Sequence, residues 1–332
     1  MQQSAPALAH GWHALSRRRE KIDRRSACLA ARPLFDSYGW PVKPFDRPHP
    51  VRGNFGDPRT TFFGDLRGGP GTPGVFLFHN GVDISAPDGT AVYPVTGGRV
   101  IDVDSDNVTI AAYDGRHLQY WHIAPNVIVG EAVTPDRTVL GHILARLGHV
   151  HLAEIDRGDV VNPLLPGHLF PYDDSKPPRV DRVIVTDEHG RTLFGPTVDG
   201  SITISAVAHD VPSIAPPGNW RAAIVSPATL NWWLTGTDGS IVRGPATVFD
   251  VCHTLPPPRA FWQVYSAGTF QNFPVSARHH LTTAGTYVFH LAELDTETLP
   301  NGAYALTVRA TDICGNTGTL RTTIQVANRP NS

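Results

Sequence analysis

From about Pro41 onward, apolar and polar positions alternate in short bursts, each closed by Gly, Pro or Asp. "GTAVYPV", "GRVIDVD", "NVTIAAY" and "LQYWHI" read as period-two strands, and no useful stretch between residues 75 and 165 keeps a helical period. "PYDDSKPPRV", residues 171–180, breaks the pattern with polar residues and prolines and reads as a linker. Strand texture resumes in "RVIVTD", "SITISAVAHD", "WRAAIVS", "TLNWWLTG", "TYVFHLA", "YALTVRATD" and "RTTIQVAN". That many short strands with turns between them predict a β-sandwich. In the last pair Tyr304, Leu306 and Val308 alternate, a turn falls near Gly315–Asn316, and Ile324 and Val326 alternate on the return. The expected architecture is all-β. An antiparallel domain spans 46–172, a linker 173–179, and an immunoglobulin- or fibronectin-like β-sandwich 180–332, after a poorly defined extension over 1–45.

Composition agrees. In 332 residues there are 31 Gly and 30 Pro against 17% charged residues, a turn-rich profile that argues against helical bundles. A formal net charge of −2 favours neither nucleic acid nor an anionic membrane as partner. Three cysteines are too few for a disulfide scaffold; Cys252 and Cys314 are placed to pair or to remain free thiols. No apolar run approaches the ~18 residues of a membrane span. The first 35 residues carry no basic-then-apolar signal pattern, and "RRSAC" lacks the apolar residues expected before a lipidated cysteine.

Ten of the 16 histidines lie in residues 1–178. Three features stand out: His79 and Asp83 in "FHNGVDIS", His122 in "YWHI", and His149 with His151 in "RLGHVHLAEI". Two histidines two residues apart on a strand point to one face. A catalytic zinc needs about three N or O ligands and one open position. His79 and Asp83 face one way if Gly81 lets the chain bend, and His151 from a neighbouring strand completes the set. His122 and His149 are then left beside the metal for proton transfer, a role suited to a group titrating near neutrality. There is no HExxH, so no glutamate base of that kind.

The order "HNGVDISAPDGTAVYPVTGGRVIDVD…LQYWHI…LGHVHLAE" resembles the lysostaphin- or LytM-like zinc metallopeptidases, the M23 family, over about residues 50–165. The resemblance implies Zn²⁺ on His79, Asp83 and His151, with His122 and His149 as acid/base and transition-state-stabilising groups. It implies an endopeptidase acting on peptidoglycan, in cross-bridge or stem peptide, and hence a secreted or envelope-associated protein. The chain departs from the family pattern in a short loop before the paired histidines, in Gly148 where proline is usual, and in Ala153 with Glu154 one step late.

Two other functions fit parts of the pattern. Two histidines and a carboxylate also form the facial triad of non-haem Fe(II) oxygenases, which leaves His122 and His149 without a role. A catalytically silent wall-binding or scaffolding protein on the same fold is the other; such proteins usually lose a ligand. His142 reads as structural, His117 as facing solvent, and Asp88 and Asp114 as turn residues. Trp232–Trp233 and "FWQVY", residues 261–265, are candidates for a binding platform.

Overall fold

A computed structural model describes residues 37–62, 70–71, 74–220, 223–272 and 285–329. Residues 1–36 of the expected extension lie outside that set. Residues 38–42 do not behave as an extension: Tyr38, Trp40 and Val42 are buried in the first core. Tyr38 bridges Leu169 in parallel, and the Trp40 indole donates to the Pro171 carbonyl at 2.9 Å.

The first unit contains β1 (Val51–Gly53), β2 (Pro58–Phe62), β3 (Val75–Phe78), β4 (Val82–Ser85), β5 (Ala91–Val92), β6 (Gly98–Val103) and β7 (Asn107–Ala112). It continues through β8 (His117–Trp121), β9 (Ile123–Pro125), β10 (Ala132–Val133), β11 (Gly141–Ile143), β12 (His149–Asp156) and β13 (Asp159–Val161). The main sheet runs β1-β4-β12-β8-β7-β6-β10, every pair antiparallel, with β13 folding back on β12. Val82, Ile84, Val108, Ile110, Leu118, Tyr120, Val150 and Leu152 form its fully buried face.

Glu154 is the charged member of that buried side, 0% exposed. It accepts from Arg116 Nη1 at 2.6 Å, from His168 Nδ1 at 2.9 Å and from the Tyr38 hydroxyl. Strand parity therefore turns Glu154 away from the face that carries His149 and His151.

The second unit contains β14 (Arg179–Asp187), β15 (Thr197–Val198), β16 (Ser201–His209), β17 (Thr229–Thr235), β18 (Ile241–Asp250), a four-residue α1 (Phe261–Val264), β19 (Val288–Asp295), β20 (Gly302–Thr311) and β21 (Thr317–Val326). One sheet runs β14-β16-β19 and the other β15-β21-β20-β17-β18; the short β15–β21 pair is parallel. Ile204, Ala206 and Phe289 of one and Leu230, Leu306 and Val308 of the other share one core. The turn expected near Gly315 is present, with Asn316 N donating to Asp312 Oδ1 at 2.8 Å.

Several expectations need correction. Of "WRAAIVS", Arg221 and Ala222 lie outside the described residues and the rest forms no strand: a 3-10 turn ends at Trp220, and Val225 makes only an isolated bridge to Asp210. β18 went unread because Gly244–Pro245 interrupts it, and Pro reads as a strand breaker. "FWQVY" is α1 and its flank; Phe261 and Tyr265 are core residues, as is Trp232. Cys252 is disulfide-bonded while Cys314 is a free thiol, so they do not pair with each other. The segment 172–178 has no regular structure, yet it is packed: Asp174 is buried and Asn316 donates to its carbonyl.

The two units interlock. Phe55 and Phe78 of the first belong to the second core, while Ala228, Cys252 and Ile313 of the second belong to the first. Asp57 Oδ1 accepts from Ser226 N at 2.6 Å, and Tyr265 donates to the Gly56 carbonyl at 2.8 Å. Asn162 N donates to the His253 carbonyl at 2.9 Å. A chain ending at residue 178 strips the cover from Phe55 and Phe78, roughly 1.5–3 kcal/mol each, out of a total stability of roughly 5–15 kcal/mol. Such a fragment is expected to lose cooperative melting in calorimetry; a fragment melting like the full chain would contradict the interlock.

Asp174, Asp210 and Asp312 form a buried trio with ligand atoms within 4.8 Å of one another. Burial, then the neighbouring carboxylates, push Asp210 up to about 9; burial pushes Asp312 up to about 6 and raises Asp174. A raised carboxyl pKa means the native state holds a proton the unfolded chain has released. The trio's stabilisation is therefore complete below the ordinary carboxyl range and declines as pH rises toward about 9. Asp210→Asn is expected to shrink the fall in melting temperature between pH 5 and pH 8; an unchanged fall would contradict the shift.

Candidate active site

β12 runs between β4 and β8, and its register places His151 opposite Asp83 on one side and Trp121 on the other. His149 pairs with Ser85. His149, His151 and Ala153 thus form one face of the strand while Val150 and Leu152 enter the core. His79 ends the segment leading into β4. Gly81, two residues on, is needed less for a bend than for room. A Cβ there would lie 2.2 Å from the Leu152 carbonyl and 2.8 Å from the His151 ring.

The result is a convergence of lone pairs. His79 Nε2 lies 2.8 Å from His151 Nδ1, and each lies 3.1 Å from Asp83 Oδ1. Ligand atoms around one tetrahedral ion at roughly 2.0–2.1 Å sit about 3.3 Å apart, so the spacing suits a metal of that size. The orientation is set from outside. His79 Nδ1 donates to the Asn54 carbonyl at 2.8 Å, which leaves Nε2 as the bare nitrogen. Arg59 Nη2 holds Asp83 Oδ2 at 2.8 Å, leaving Oδ1 to the histidines.

Electrostatics favour the same state. Burial pushes His79 down to about 3, so it is a neutral imidazole at physiological pH. Burial opposes charge on Asp83, but His79, His149 and Arg59 overcome it and hold its carboxyl well below the ordinary range. Among these Arg59 is the permanent cation. A metal ligand set needs neutral imidazole and ionised carboxylate, and both are in place.

His122 and His149 flank the triad. Their ring centroids are 4.5 Å apart, and His122 is 6.4 Å from His151. Burial pushes His149 down to about 3 and also lowers His122. His149 Nε2 is 3.5 Å from Asp83 Oδ1. Its Nδ1 lies 2.8 Å from the Leu147 carbonyl and 2.7 Å from Arg52 Nη2. A protonated Nδ1 donates to the carbonyl; a bare one accepts from the arginine. The ring is held in either tautomer. His122 has a left-handed backbone, φ 70°, costing on the order of 1–3 kcal/mol in a non-glycine residue. Leu144 N secures it by donating to its carbonyl at 2.9 Å.

All five sequence-derived residues line one cleft of about 910 Å³. His117 and His142 lie outside it and are exposed. Asp88 accepts from Arg146 N at 2.7 Å and Gly148 N at 2.8 Å, bracing the turn into β12. Sequence reasoning missed Arg52 and Arg59, and it missed the second unit's share of the wall: Trp220, Thr254 to Pro258, Gln271 and Asn272. No local pattern marks the pairing of Arg59 with Asp83, 24 positions away, or of Gln271 with Thr60, 211 positions away.

The class defined so far is an all-β, largely antiparallel protein with a two-histidine, one-aspartate cluster in a histidine-lined cleft. No family model and no curated protein matches the sequence. Solved structures give partial likenesses. The catalytic domain of the antimicrobial peptidase lysostaphin from Staphylococcus simulans is 18% identical over 33% of this chain and 86% of that one, TM-score 0.26. Csd3 from Helicobacter pylori is 20% identical over 44% of this chain and 36% of that one, TM-score 0.29. A zinc-containing peptidase from Vibrio cholerae is 21% identical over 36% of this chain and 40% of that one, TM-score 0.25.

Gly81→Ala is expected to lower the melting temperature and to weaken binding of added Zn²⁺ about 10–100-fold, because the new methyl drives against both the Leu152 carbonyl and the His151 ring. Competition with a chromophoric chelator measures it; unchanged affinity would show that the close approach is irrelevant to the site.

Proposed function

We propose that the chain is a zinc endopeptidase acting on peptides of bacterial peptidoglycan, at the cell envelope or outside the cell. The observation that carries the metal is the meeting of His79 Nε2, His151 Nδ1 and Asp83 Oδ1 within 3.1 Å of one another. The order and spacing of the five residues support the peptidase reading, and the substrate class rests on the sequence resemblance alone. Zn²⁺ bound by these three ligands supplies Lewis acidity toward a scissile carbonyl and lowers the pKa of an attacking water.

The remaining work belongs to the chain. His149, neutral and with Nε2 facing the triad, takes the proton from the attacking water and returns it to the leaving amine. With Nε2 as the base, Nδ1 carries a proton throughout and donates to the Leu147 carbonyl, which keeps the ring in place through both protonation changes. His122, locked by its backbone, donates to the oxyanion as charge develops there. The cleft walls exclude water around these groups and so strengthen each interaction. No described helix is long and apolar enough to cross a membrane.

Protein purified without added metal should contain about one zinc per chain by elemental analysis. His151→Ala should lose zinc and hydrolysis of wall peptides together, whereas His149→Ala should keep zinc and lose hydrolysis by at least 100-fold. Iron in place of zinc, or zinc untouched by His151→Ala, would overturn the reading.

A further inference from the structure

We infer that Arg52 is a carboxylate-recognition site built across the junction of the two units, so that the substrate is an acidic peptide with its carboxylate close to the scissile bond. The inference deepens the peptidase reading and rests on it.

Arg52 lies on β1, lines the cleft and is 8% exposed. Its guanidinium sits 4.0 Å from the centroid of the Trp220 ring, which the second unit contributes. Nη2 contacts His149 Nδ1 at 2.7 Å. No ion pair to Arg52 exists among the described residues. The acids whose fields reach it are committed elsewhere: Asp83 to Arg59, and Asp88 to the backbone of Arg146 and Gly148. Burial lowers Arg52 to about 10, so it still carries its charge at neutral pH.

A buried cation without a counter-ion costs several kcal/mol, and a protein tolerates that chiefly where a ligand supplies the missing charge. Stacking on the indole fixes the plane of the guanidinium, which turns Nη2 to His149 and leaves its other edge to the cleft that Arg52 lines. That edge offers the paired N–H donors that match a carboxylate. The metal-ligand triad lies across a single imidazole, that of His149. A peptide residue spans about 3.3–3.6 Å, so a carboxylate on Arg52 belongs to a residue next to the cleaved bond or one beyond it. Leu255, Pro256, Pro257 and Pro258 supply an apolar strip in the same cleft for the neighbouring side chains. An α-carboxylate and an acidic side chain share this chemistry.

The test is calorimetric titration of the full chain, zinc-loaded and chelator-treated, with three acetylated tripeptides. One is trialanine with a free C-terminal acid, one its C-terminal amide, and one the amide of Ala-Glu-Ala. Tighter binding of the first identifies an α-carboxylate, and of the third an acidic side chain. In either case an acid is expected to bind at least tenfold more tightly than the neutral amide, in both metal states. Arg52→Gln should bring acid and amide within twofold of each other, Arg52→Lys should keep part of the preference, and Trp220→Leu should reduce it at least threefold.

Equal binding of acids and amide by the native chain, or binding of none, would overturn the inference. So would a tenfold preference surviving in Arg52→Gln, or one that disappears when zinc is removed. Thermal melting checks that each variant is folded, and Arg52→Lys keeps the test decisive if Arg52→Gln is not. Failure of the zinc and hydrolysis assays would sink the peptidase reading while leaving the acid-to-amide ratio readable.

Discussion

A strand in the middle of a sheet has two faces to satisfy, and β12 satisfies them with opposite chemistry. Val150 and Leu152 are completely buried against the first core, while His149 and His151 form part of the cleft. The site depends on this single alternation. A one-residue slip would send both imidazoles into the core and two aliphatic side chains into the cleft. Six hydrophobic neighbours at 0% exposure on β4, β7 and β8 make that slip prohibitively expensive. The geometry of the His–Asp triad is thus enforced by apolar packing on the other side of the sheet.

The same economy appears around Asp83. His79 and Asp83 are each oriented by a contact from outside the triad. Asn54 takes the proton side of His79, and Arg59 takes the far oxygen of Asp83. Arg59 is in turn 3.7 Å from Asp57, whose other oxygen accepts from Ser226 of the second unit. A chain of polar contacts therefore runs from the second unit into the triad. The second unit is part of the machinery, not a tether appended to it.

How much of this was legible in the sequence depends on how far apart the partners are. The HxH face and the Asp312–Asn316 turn follow from period and turn chemistry within a few residues, whereas the grouping of His79, Asp83 and His122 with that face rested on the order of motifs that resembles a known family. β18 was hidden because Gly244–Pro245 breaks its local pattern, although its neighbour β17 pairs on both sides of the break. Phe261 and Tyr265 looked like a strand platform because aromatic runs favour strands; a short helix buries them instead. Arg52 and Trp220 are separated by most of the chain, and nothing near either residue announces the other. The proline run at 256–258 has the composition of a spacer, and contacts with residues about ninety positions earlier, Val161 to Thr254 and Asn162 to His253, bring it to the cleft.

One feature of that wall bears on how such a protein diversifies. The groups proposed to do the chemistry all come from the first unit, whereas much of the surface that meets the rest of a ligand comes from a segment about a hundred residues later. Point changes in that later segment can alter which molecules enter while every side chain of the His–Asp cluster keeps its place. Selection can therefore retune which ligands the cleft admits without disturbing the histidine–aspartate cluster beneath them.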